Sequence, residues 1–128
     1  RNQVGAGSSM LIAGLVITGD APKKVLLRGV GPGLVPTVAE ALVLANPTLQ
    51  LNKLNTATMT WSVVGANDDW GGATDLATAM SQAGMGALVA DSKDAVLLLE
   101  LQPGIYTAQL SGAGDTTGIG LVEVYEAP

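Results

Sequence analysis

Short apolar runs separated by clusters of Gly, Pro, Asn and Asp fill the chain, a rhythm that predicts strands joined by turns. Residues 10–18 (MLIAGLVIT) are continuously apolar and are closed by Gly19-Asp20 and Pro22; their length and β-branched content predict a strand buried on both faces. Residues 24–30 (KVLLRGV) predict a second strand, ended by Gly31-Pro32-Gly33. Residues 35–46 read two ways: Val38-Ala39-Glu40-Ala41-Leu42 suits a short helix, whereas Val43-Leu44 suits strand equally. Beyond Asn46-Pro47 the period is two, with Leu49 and Leu51 opposing Gln50 and Asn52. The same alternation in residues 58–64 predicts Met59, Trp61 and Val63 inward and Thr58, Thr60 and Ser62 outward.

A turn-rich loop, residues 65–72, leads to the one helix, expected near residues 75–82. Thr74 or Asp75 is its expected cap, Leu76 and Met80 lie four apart on one face, and Gly84 stops it. In the next strand Ala95, Leu97, Leu99 and Leu101 share a face, and only Glu100 demands solvent. Gln102-Pro103-Gly104-Ile105 predicts a type II turn, with Pro presetting φ and Gly taking the positive φ at the third position. Tyr106, Ala108 and Leu110 then alternate with Thr107, Gln109 and Ser111, and a Gly-rich loop precedes a last strand from Ile119. Many short strands without a βαβ rhythm predict an all-β fold, a jelly-roll-like two-sheet β-sandwich with that single helix. Residues 1–9 (RNQVGAGSS) are expected to be an arm or loop, and residues 10–128 a single domain.

Composition narrows the chemistry. Charged residues are 13% of the chain, about half of ordinary usage. The 48% hydrophobic content is carried by small and β-branched side chains, since aromatics are only 3% and Phe is absent. A surface so short of charge predicts contact with other protein, because interface cores are depleted in charge in the same way. A net charge of −5, with the basic residues Arg1, Lys23, Lys24, Arg28, Lys53 and Lys93 scattered, excludes a nucleic-acid-binding face. The longest apolar run is far short of the roughly 20 residues of a membrane helix. Four aromatics cannot build the two girdles of a membrane barrel.

Several phrases together resemble a domain that recurs in large secreted and surface proteins of bacteria. They are Leu11-Ile12-Ala13-Gly14, residues 25–32 (VLLRGVGP), Asn67-Asp68-Asp69-Trp70, residues 94–98 (DAVLL) and residues 101–108 (LQPGIYTA). Ser111-Gly112, with residues 117–125 running into Val124-Tyr125, completes the set. The closing third is also similar to bacterial pre-peptidase C-terminal domains. The resemblance implies a non-catalytic, extracellular or cell-surface β-sandwich, and it implies a further strand ahead of Arg1. A sheet edge left open there is expected to recruit a neighbouring copy, giving head-to-tail assembly into a filament. The start at Arg1, without an initiator Met, is expected of a processed secreted product or a fragment of a longer chain.

Candidate chemistry is sparse. Asn67, Asp68 and Asp69 are the one dense group of oxygen ligands, and Asp91 and Asp94 would add carboxylates if their loops meet. Those five residues are the candidate calcium site, calcium requiring six to eight oxygens. Asx turns and helix capping account for the same residues without metal. Gly29-Val30-Gly31-Pro32-Gly33 lacks the following helix and the Lys of a phosphate loop, so it is a turn. With no His and no Cys, the serines have no usual activating base, and no enzyme is expected. Trp61 and Trp70 are the residues a carbohydrate could stack on; Trp61 is expected in the core and Trp70 over one end of the sandwich. A calcium- or carbohydrate-binding accessory module is thus the alternative to a self-associating structural subunit.

Overall fold

A computed structural model describes residues 1–127. Its strands are β1 (Asn2–Val4), β2 (Leu11–Ile17), β3 (Lys23–Val30), β4 (Pro47–Asn55), β5 (Thr60–Asn67), β6 (Ala95–Leu101), β7 (Gly104–Gly112) and β8 (Gly118–Glu126), with one helix, α1 (Thr74–Gln82), between β5 and β6. Pairing is antiparallel and nested: β4 with β5, β3 with β6, β2 with β7 and β1 with β8. The chain is therefore one long hairpin, turned at residues 56–59 and rolled up into two four-stranded sheets. The first sheet has the order β1-β8-β3-β6 and the second β2-β7-β4-β5. That is the jelly-roll arrangement, two Greek keys wrapped as a sandwich.

The core lies where inward-facing residues of the sheets meet, with Val25, Leu27, Ala95 and Leu97 against Leu49, Leu51, Tyr106 and Ala108. The outer face of the first sheet is covered as well. Residues 31–44 bring Leu34, Val38 and Val43 over Val30, while α1 and its flanks bring Trp70, Ala79, Met80 and Met85 over Leu26 and Val96. Apolar residues on both faces explain why β3 and the start of β6 show no alternation. Among the described residues the outer face of the second sheet has no such cover.

Four local expectations are corrected. The strand predicted as buried on both faces, β2, is a sheet edge whose outward Ile12 and Val16 are exposed; β3 is the doubly buried one. Residues 1–9 are not a free arm, because Asn2–Val4 pair with Gly118–Gly120 and Val4 is buried. α1 is capped by neither Thr74 nor Asp75: Ala73 occupies that position with no side-chain hydrogen bond. The Gln102–Ile105 turn is not type II, since Gly104 has φ 159° and the chain crosses there from the first sheet to the second. The ambiguous 38–42 stretch resolves into a single 3-10 turn, Glu40–Leu42. At the other end of α1, Gly84 takes φ +75° and Met85 N–H reaches back to Met80 C=O (3.0 Å), a Schellman stop. No helix among the described residues is long and apolar enough to cross a membrane.

Candidate functional site

The two loops carrying the candidate calcium ligands do meet. Trp70 N–H donates to Asp94 C=O (3.0 Å), and Val96 N–H donates to Asn67 Oδ1 (3.0 Å). The side-chain oxygens of Asn67 and Asp94 are directed at the protein itself. Asp94 is 0% exposed; its Oδ1 accepts Gly31 N–H (2.8 Å) and Gly33 N–H (3.2 Å), and its Oδ2 accepts the Ser92 hydroxyl (2.8 Å). The Gly31-Pro32-Gly33 turn is thus a backbone nest whose anion is an internal carboxylate. Asn67 ties β5 to β6, its Nδ2 also donating to Asp69 C=O (3.2 Å). Asp68, Asp69 and Asp91 are exposed. No group of three or more His, Cys, Asp or Glu side chains placed to hold a metal occurs among the described residues.

One buried charge lies outside that cluster. Arg28 Nε and Nη2 both donate to Glu123 Oε1 (3.0 and 2.7 Å), and Nη1 donates to Gly86 C=O. This pair sits on the outer face of the first sheet beneath the segment after α1, with Met80 Sδ 3.6 Å from Nη1. It pins that segment to β3 and β8. A cavity of about 280 Å³ opens nearby between α1 and residues 84–88, lined by Trp70, Met80, Met85 and Leu88. It is at the small limit of ligand-sized cavities, and Trp70 Nε1 already donates to Val89 C=O (3.0 Å).

The open face of the second sheet is where exposed apolar side chains gather. Register places Val16 beside Ile105 and Trp61 beside Leu54. One step beyond the Lys53–Tyr106 pair, Leu54 sits next to Ile105, so an apolar row crosses all four strands. The next row is Gly14, Thr107, Asn52 and Val63, and the one after it Ile12, Gln109, Gln50 and Ala66. The central strands thus present polar groups: Gln50 Nε2 donates to Asn52 Oδ1 (3.0 Å), and the Thr48 and Ser111 hydroxyls are 2.8 Å apart. The edge strands present Ile12 (54% exposed) and Val16 (63%) on β2, and Trp61 (49%) and Val63 (58%) on β5.

Trp61 and Val63 were expected inward with Met59. All three are exposed, because β5 lies at the margin of the sheet and a bulge at Leu51/Asn52 shifts its register. Period two in residues 58–64 reveals alternation but not which phase faces the core. The available signal is the absence of any strong cue for solvent on the other phase, which holds only Thr and Ser. Trp70, by contrast, is buried over the outer face of the first sheet. Compared with known proteins, the chain matches no family model, no curated protein and no solved structure.

Proposed function

We propose that this chain is a non-catalytic structural module of the cell exterior that associates with copies of itself through the edges of its second sheet. The observation carrying this is that the most exposed apolar side chains of the sheet, Ile12, Val16, Trp61 and Val63, stand on the outward faces of the two edge strands, while the central pair adds Ile105 and Leu54 among polar groups. A monomer whose open face simply met water would have no reason to concentrate Ile, Val and Trp at its margins. Nor do the edges carry the usual protective residues, the bulge of β5 opposite Leu51/Asn52 being the one such device present among the described residues. β2 (LIAGLVI) and β5 (TWSVVGAN) contain no charge and no Pro, and each is seven or eight residues long. The low charge of the whole chain and its resemblance to secreted bacterial sandwiches agree with an exterior, self-associating role.

The test is light scattering and negative-stain microscopy of the purified chain across a concentration series. Ordered multimers that grow with concentration are expected. A monodisperse monomer at every concentration would overturn the proposal.

One observation favours carbohydrate as a second reading: Trp61 is half exposed and lies in the face that also carries the Gln50, Asn52 and Gln109 amides. An aromatic plane beside amides is the chemistry of sugar stacking with hydroxyl recognition. Retardation of the chain in polysaccharide-containing native gels, lost in Trp61→Ala, would support it.

A further inference from the structure

The direction of the strands says how two copies would join. Within the second sheet every neighbour is antiparallel, so over four strands β2 and β5 run in opposite directions. A second copy placed beside the first by translation across the sheet therefore brings its β2 against β5 antiparallel. No copy has to be inverted, and no joint is parallel. An odd number of strands would have forced one or the other.

Resting on the self-association proposed above, we infer that β5 of one copy pairs with β2 of the next, continuing the second sheet head to tail through an open-ended series. Three observations favour this partner. Neither strand has a backbone hydrogen-bond partner on its outer side among the described residues, β2 pairing only with β7 and β5 only with β4. In matching rows, Val16 meets Trp61 of the neighbour, and Gly14, at which an added Cβ meets nothing within 4 Å, receives Val63. The apolar row then runs unbroken from copy to copy, and the residues exposed at both margins are the ones covered.

The first sheet does not compete for this joint. β1 is three residues long, the free edge of β8 beyond it carries Glu123 and Glu126, and β6 carries exposed Glu100 with its Val96 N–H already taken by Asn67. Such short or charged edges resist pairing.

Size sets the strength. A joint of seven residues is about 24 Å long and about 10 Å deep, burying roughly 500 Å² in total. That is less than half of the roughly 1,200 Å² of a stable interface, so dilute copies stay apart and assembly requires crowding or tethering. Each copy adds four strands, an advance of about 19 Å, and strand twist turns the series into a helix rather than a flat ribbon.

The absence of cysteine makes the joint directly testable. In a Gly14→Cys/Val63→Cys double variant, concentrated and treated with a short bis-maleimide, a ladder of covalent multimers is expected on denaturing gels. Neither single variant should give one, because like positions on successive copies are a full molecular width apart. Covalent dimers from Val63→Cys alone would mean a two-fold β5–β5 contact and would overturn the head-to-tail joint. Scattering without a ladder would overturn the β2–β5 pairing while leaving self-association intact; no scattering at any concentration would remove both. As a second measurement, Ile12→Lys and Val63→Lys, each placing an unpaired ammonium at one margin, should lower assembly by about tenfold or more with the circular dichroism spectrum unchanged. Unaltered assembly in both would equally overturn the joint.

Discussion

Asp94 shows how a residue that reads as a metal ligand can serve the fold. A fully buried carboxylate that accepts two backbone N–H groups and a hydroxyl is satisfied internally, and it fastens the start of β6 to the turn after β3. Removing it leaves the Gly31 N–H buried without an acceptor, so Asp94→Ala is expected to cost about 3 kcal/mol in urea unfolding. Asp68→Ala, at an exposed position, should stay within about 0.5 kcal/mol of the parent. Because the Asn67 and Asp94 oxygens already accept amide protons, thermal melting is expected to be the same in millimolar calcium and in EDTA; a clear calcium-dependent rise would support a metal site at these loops. Tyr106 works similarly at the crossing between sheets. Its buried hydroxyl donates to Gln102 C=O (2.6 Å), holding the chain where it changes sheet, the arrangement known as a tyrosine corner. Tyr106→Phe should cost about 1 kcal/mol. Arg28→Met is expected to be harsher, about 3–5 kcal/mol, since it strands Glu123 under the segment after α1; adding Glu123→Leu should recover most of that loss.

At the level of elements, the helix and the strands other than β1 were legible, and the sides they expose were only partly so. Residues 10–17 contain no polar position, so nothing in the run itself distinguishes a doubly buried strand from an edge strand with apolar residues on its open side. β3 carries Arg28 in its middle and yet is the doubly buried one, because Glu123 on β8 lies within salt-bridge distance. β5 has clear alternation whose phase is inverted by the bulge opposite Leu51/Asn52, and at the margin of the sheet both phases of Thr60–Val64 are exposed. The two tryptophans report this inversion directly. Iodide is expected to quench Trp61 and spare Trp70, so Trp61→Phe should abolish most of the quenchable fluorescence. The reverse, with Trp70 the accessible ring, would mean β5 is turned inward after all.

For the whole molecule, the jelly roll leaves one asymmetry that matters. Both long connections, residues 31–46 and 68–94, fold over the first sheet, and among the described residues none crosses the second. One sheet is thereby sealed on both sides, and the other keeps an open face with two uncharged edges. Association through such edges draws little on charge, so multimers are expected to persist when salt is raised from about 0.05 to 1 M, conditions under which screening would dissolve an assembly held by exposed ion pairs. Dissociation on adding salt, followed by sedimentation, would count against edge pairing.

Local chemistry was enough for the all-β class, the position of α1 with its Gly84 stop and the turn at Gly31-Pro32-Gly33, because propensity and turn residues act over a few neighbouring positions. Which strands lie at the margins, which carboxylate is spent on a backbone nest, and which apolar residues remain in water follow from pairings between distant segments, β1 with β8 and β2 with β7 above all. A pattern of period two is unchanged when a strand is turned over or moved to the edge of its sheet. Burial is conferred by what packs against a residue, and in this chain the connections that pack are spent on one sheet alone.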